Sequence, residues 1–215
     1  MINTPANPEE QSVVLPPAPV LPFTVKASAA QYRKAIGLNR IVAALAISSV
    51  FWFKFGFLVW LITVVGLAAF IVIIIYLLTR RSITINNNGV RYKNAFRITK
   101  SLKFDEIKSV EVFENYIEPG FGTMPRVILA KKSGGHLFST IGIFWPYGEV
   151  AKLLAVLKDR EVELNVYTGV ANSSNIAKEF PGLLSFYERH PYWSATFIAI
   201  VMLAAIVAGV ILFMM

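Results

Sequence analysis

Between Arg80 and Lys108 the chain sets eight cations, Arg80, Arg81, Arg91, Lys93, Arg97, Lys100, Lys103 and Lys108, against two acids, Asp105 and Glu106. Basic side chains at this density suit anion binding. Each one close to an anionic lipid surface gains about 1 kcal/mol, and no pocket is required. Arg91 and Lys93 alternate with Val90 and Tyr92, as residues on a solvated strand face do. The candidate contact residues for anionic lipid or a partner are therefore Arg80, Arg81, Arg91, Lys93, Arg97, Lys100 and Lys103. A second candidate is the loop expected from Asn115 to Pro125, which carries Tyr116, Ile117, Phe121 and Met124 among glycines and prolines. Such apolar side chains suit contact with lipid or a partner, or fold under the loop as a satellite of the core.

Catalytic and metal chemistry finds little support. There is no cysteine, which excludes disulfides, thiolate metal sites and Cys nucleophiles. The two histidines, His136 beside a hairpin turn and His190 near the C-terminal apolar run, lie far apart and suit surface roles. No Ser-His-acid set has a recognised spacing, and Gly120-x-Gly122 lacks the third glycine and the helix of a dinucleotide fingerprint. The expectation is a non-enzymatic protein without cofactor or metal. A net charge of +8 points to an anionic membrane surface rather than nucleic acid.

The elements that would position these residues begin with hydropathy. The chain is 55% hydrophobic and 16% charged, with a mean hydropathy of +0.57; a typical soluble domain carries about 25% charged residues. Ile41 to Leu78 is apolar apart from Lys54. As one helix it would reach about 57 Å, nearly twice a bilayer's hydrocarbon core. It reads as a hairpin of two crossings, about 36–53 and 57–78, turning at Lys54-Phe55-Gly56. A third span is expected over 193–215. Basic flanks at Lys26, Arg33, Lys34, Arg40, Arg80 and Arg81 orient the hairpin. They predict a multi-pass protein of the cell membrane, with the N-terminus and central domain cytoplasmic and the C-terminus outside.

The first segment, 1–35, is proline-rich, with Pro16, Pro17, Pro19 and Pro22 favouring extended polyproline-like backbone. It suits a docking peptide, a disordered tail, or a segment packed back onto its own domain. From Ser82 the period shortens. Ser82 to Asn86 alternates, Asn88-Gly89 is a favoured hairpin pair, and Val90 to Phe96 pairs back. Further strands are expected over Ile98–Phe104, Ser109–Phe113, Val127–Lys131 and Leu137–Ile141. An amphipathic helix follows from Pro146, with Val150, Leu153, Leu154 and Leu157 on one stripe. Segment 164–192 reads as a connector. The fold class expected is membrane α-helical, a transmembrane hairpin plus a C-terminal transmembrane helix. To this is joined an α+β cytoplasmic domain, over 80–163, of antiparallel strands capped by one helix.

The phrases "ITINNNGV", "KSLKFDEIKSVEV", the strands around "KSGGHLF" and "YGEVAKLLAVLK" resemble the bacterial pleckstrin-homology-like (PH-like) membrane proteins. The resemblance covers Ile41 to Glu161 and implies a transmembrane hairpin ahead of a PH-like domain. The third span and the proline tail depart from that layout. In eukaryotic PH domains basic residues on the first two strands hold inositol phosphates, under a signature ending Lys/Arg-x-Arg. Arg91-x-Lys93 followed by Arg97 matches it in part. The resemblance implies a domain that contacts membrane lipids or a membrane or cytoplasmic protein. The alternative is a small structural subunit of a membrane machine, in transport or in the envelope.

Overall fold

The computed structural model describes residues 15–29, 49, 56–190, 193, 196 and 197, and all structural statements concern these. The strands are β1 (Phe23–Lys26), β2 (Ser82–Asn86), β3 (Gly89–Lys93), β4 (Thr99–Lys103), β5 (Ile107–Glu118), β6 (Gly122–Lys131), β7 (His136–Ile141) and β8 (Leu164–Ala171). The helices are α1 (Phe57–Thr79), α2 (Tyr147–Asp159), α3 (Ser173–Glu179) and α4 (Phe186–Arg189), with a 3₁₀ turn at Phe104–Glu106. Sheet A runs β1-β2-β3-β4 and sheet B runs β7-β6-β5-β8. All pairings are antiparallel except β5 with β8, which is parallel.

Strand alternation explains the layers. In sheet A, Val25, Ile83, Ile85 and Val90 point to one face and are almost completely buried. They join Val110, Val112, Val127 and Leu129 from one face of sheet B, and Val150, Leu153, Leu154 and Leu157 from α2. A small sheet pair leaves an open end, and the single apolar stripe of α2 covers it. The other face of sheet B carries Phe113, Ile128, Ala130 and Tyr167. It is roofed by α3 and the segment behind it, through Ile176, Leu183 and Leu184. Sheet B is thus buried on both sides, and the chain beyond 163, expected to be a connector, supplies an eighth strand and a second core.

Two local expectations change. The proline-rich segment does pack back. β1 pairs with β2 in the register Phe23↔Ile85 to Lys26↔Ser82, and Leu15, Leu21 and Phe23 pack against the main core. Residues 115–125 are not an open loop, because β5 and β6 continue through them as a hairpin in the register Tyr116↔Met124 and Glu118↔Gly122. Gly120 and Gly122, with φ of 79° and 87°, supply the left-handed backbone of its tip.

The membrane-helical fold class is corrected. Among the described residues no helix is long and apolar enough to cross a membrane. The first expected span, about 36–53, lies outside the described residues except for Ser49, and the third, 193–215, except for Trp193, Thr196 and Phe197. In place of the second stands α1, where the side chains of residues 59, 62, 63, 67, 70 and 74 are outside the description. An apolar run measures what a helix could do in lipid; the described chain instead makes an α+β fold of two sheets with few helices. The three-span topology, the membrane and transmembrane assignment, and the multi-pass placement with a cytoplasmic domain and outer C-terminus are therefore not supported.

Candidate functional site

No aspartate or glutamate occurs between Glu10 and Asp105, so every strand of sheet A is free of acids. Its outward face alternates with the buried one. It carries Thr24 and Lys26 on β1, Ser82 and Thr84 on β2, Arg91 and Lys93 on β3, and Thr99, Ser101 and Lys103 on β4. Directly paired residues share a face, and the Thr24 and Thr84 hydroxyls confirm it by meeting at 2.9 Å. The result is a surface of cations and hydroxyls.

Register then divides the predicted cations. Lys26 pairs with Ser82, Ser82 with Lys93, and Lys93 with Thr99, so these residues lie in one row at one end of the sheet. Arg80 and Arg81 lead directly into Ser82, and the Ala27 amide donates to the Arg81 carbonyl at 3.1 Å. Arg97 sits in the β3–β4 turn, and Lys100 follows Thr99. Arg80, Arg81, Lys93 and Arg97 therefore share that end with Lys26, and Lys100, paired with Tyr92, stands at the same end on the opposite face of the sheet.

Lys103 pairs with Gly89 at the far end. At about 3.4 Å per residue, four residues along β4 separate it from Thr99 by roughly 14 Å. With Arg91 midway, it lines a shallow groove of about 400 Å³ together with Asn86, Asn88, Ser101 and Glu106. Glu106 faces that groove and accepts from the Lys103 backbone amide at 2.8 Å. The acid-free end is the stronger anion surface of the two.

Electrostatics at that end reflect partial burial. Arg80 stacks its guanidinium 5.0 Å from the exposed Tyr76 ring. Arg81 is half-buried, and its Nε is enclosed without a hydrogen-bond acceptor among the described residues. Such donors are scarce in folded proteins, and each one favours an incoming acceptor. Burial pushes the Tyr92 hydroxyl above its ordinary pKa, Arg81 opposes the shift and Glu188 adds to it.

The second predicted set is divided as well. Tyr116 is buried, and its hydroxyl meets Ser173 Oγ at 2.7 Å. Ile117 is exposed beside it, while Phe121 and Met124 are half-buried at the hairpin tip. Tyr116 and Ile117 line one cavity of about 390 Å³ with Pro119, Ser173 and Trp193, whereas Phe121 and Met124 lie outside its lining.

Sequence reasoning missed two polar clusters on the roofed face of sheet B. In one, the fully buried Arg126 guanidinium lies 4.7 Å from the Tyr116 ring centre. It donates to Ser139 Oγ at 2.9 Å and to Glu188 at 2.7 Å. His136 joins them, with Nδ1 at 2.7 Å from the Leu183 carbonyl and Nε2 at 3.3 Å from Glu188. In the other, the buried Glu111 carboxylate accepts from Ser109 at 2.5 Å, Tyr167 at 2.9 Å and Asn165 at 3.3 Å. Burial first, then Glu111, raises the Tyr167 hydroxyl far above its ordinary range. The legible signal was a lone arginine opening the apolar run Val127-Ile128-Leu129-Ala130.

The Arg126 cluster ties the segment after β8 to sheet B through Glu188 and the Leu183 carbonyl, and the Glu111 cluster ties β8 to β5 within the sheet. Among the described residues no group of three or more His, Asp or Glu side chains could hold a metal ion. Comparison with protein-family models, curated protein sequences and solved structures finds no match.

Proposed function

We propose that this chain is a non-enzymatic interaction module of the PH-like kind, whose acid-free basic end meets anionic lipid headgroups. The PH-like reading is supported by element order: four strands in one sheet, three antiparallel strands in the next, and a helix across the open end. The pairing of β8 and the roof of α3 and α4 are additions to that plan. One observation carries the functional part: Lys26, Arg80, Arg81, Lys93, Arg97 and Lys100 gather at one end of an acid-free sheet. Binding of this kind depends on summed charge and weakens with salt.

Co-sedimentation of the full chain with vesicles tests it. Binding to phosphatidylglycerol vesicles is expected to exceed binding to phosphatidylcholine vesicles and to fall as salt rises. Lys93→Glu with Lys100→Glu is expected to weaken it by about a hundredfold, at about 1 kcal/mol for each charge lost and more for reversal. Equal binding of wild type and variant would sink the reading.

A further inference from the structure

We infer that the β3–β4 turn is an apolar wedge, in which Phe96 and Ile98 enter the acyl region of an anionic lipid surface while the surrounding cations stay with the phosphates. This rests on the lipid reading above. Phe96 and Ile98 are 73% and 58% exposed. Scattered exposed apolar residues are ordinary, but here two large ones share one turn of five residues. Lys93, Arg97 and Lys100 flank them in sequence, and Arg80, Arg81 and Lys26 stand at the same end of the sheet. An apolar point inside a cationic rim matches the layering of an anionic bilayer surface, headgroup charge outside and hydrocarbon beneath.

The backbone of the turn is also prepared for a dry environment. Asn94 Oδ1 accepts from the Phe96 amide at 3.0 Å and the Ile98 amide at 2.9 Å. The Asn94 amide donates to the Ile98 carbonyl, and the Arg97 amide to the Asn94 carbonyl, both at 3.0 Å. Four amides are thus satisfied within the turn itself. Backbone donors left open would cost several kcal/mol each in hydrocarbon, so this closure removes the main penalty of immersion. Ala95, between Phe96 and β3, is buried. The turn at the opposite end of the sheet, Asn87-Asn88, is wholly polar, which gives the sheet one end suited to lipid and one suited to water.

The absence of cysteine makes the test clean, since Ile98→Cys or Asn88→Cys gives a single thiol for an environment-sensitive NBD fluorophore. Each labelled full-length chain is mixed with phosphatidylglycerol vesicles whose acyl chains are brominated. Label at 98 is expected to shift to the blue and be quenched, and label at 88 to do neither. Phe96→Ser is expected to weaken vesicle affinity about tenfold with an unchanged unfolding midpoint, as loss of one immersed aromatic side chain. If the chain binds these vesicles but position 98 is quenched no more than position 88, the wedge is overturned and charge-driven contact stands. The tip would then be free to meet a protein. If the chain binds no anionic vesicle, both readings fall together.

Discussion

Arg126 on β6 and Glu188 on α4 form an ion pair, Nη2 to Oε1 at 2.7 Å, with the guanidinium side chain only 1% exposed. The pair joins residues 62 apart in sequence and closes the roof over sheet B. Removing the carboxylate leaves a buried cation short of its counterion, whereas replacing both partners with apolar groups leaves nothing unpaired. Glu188→Ala is expected to destabilise the chain by about 3 kcal/mol. Arg126→Met with Glu188→Met should recover most of that loss. Urea unfolding of the single and double variants checks it, and a double variant no better than the single would show that the pair is not what matters.

The same carboxylate sets an acid dependence. Burial of Glu188 acts to raise its pKa, but Arg126, His136 and the Ser185 hydrogen bonds outweigh it and hold the group below the ordinary 4.5. A folded-state pKa lower than the unfolded one means that the folded form binds fewer protons in between. Its stabilisation is therefore present above 4.5 and lost as pH falls through the lowered value. Glu188→Gln should flatten this part of the acid limb when urea midpoints are followed downward from neutrality.

Backbone space makes a third prediction. Gly89 opens β3 at φ 153°, and a Cβ there would come 2.2 Å from the Leu102 carbonyl oxygen. Gly89→Ala is expected to cost about 2–3 kcal/mol through backbone strain and displacement of β4. Hydrogen exchange of the β3 and β4 amides should accelerate in the variant while the β5 and β6 amides keep their protection.

Arg97 separates folding from binding. Its φ of 63° lies in the left-handed region, which costs a non-glycine residue roughly 1–2 kcal/mol. Glycine removes that cost but loses more entropy on folding. Arg97→Gly should thus hold stability within about 1 kcal/mol, yet weaken anionic-vesicle binding about fivefold by removing one charge. A large fall in unfolding midpoint, or unchanged vesicle affinity, would contradict it.

What could be read beforehand was what neighbours in sequence decide. The β2–β3 hairpin was legible in Asn87-Asn88-Gly89, but not its turn: the two loop residues are Asn87 and Asn88, neither with positive φ, and Gly89 already belongs to β3, with Asn86 Oδ1 accepting from the Asn88 and Gly89 amides. The stripe on α2 likewise announced its own burial at Val150, Leu153, Leu154 and Leu157. Packing back of the proline-rich segment was one of three options, but β1 itself was not legible, since four residues carry too short an alternation to identify a strand without its partner. The β5–β6 hairpin was hidden by glycines that read as loop, although two of them are its turn. β8 pairs in parallel with a strand far behind it, and no hairpin signal exists for that. The cations were legible as a set, but their division into a convergent end and a separate groove is a matter of register. Phe96 and Ile98 were passed over because exposure cannot be seen in composition. Hydropathy misled most, because a long apolar run does not by itself settle the fold class.

Thr24 and Thr84 touch across 60 residues of chain, and that distance bears on how the protein is made. Doubling the length of a closed loop costs only about 0.6 kcal/mol, so the finished sheet tolerates the long interval with little loss. Timing is another matter. During synthesis β1 leaves the ribosome first yet has nothing to pair with until β2 arrives, whereas β2, β3 and β4 can zip locally within moments of one another. Until the early strand finds its place, β2 is an open edge able to pair with another nascent copy. The N-terminal strand acts as a latch that arrives early and shuts late, and the hazard it guards against belongs to the growing chain rather than the folded one.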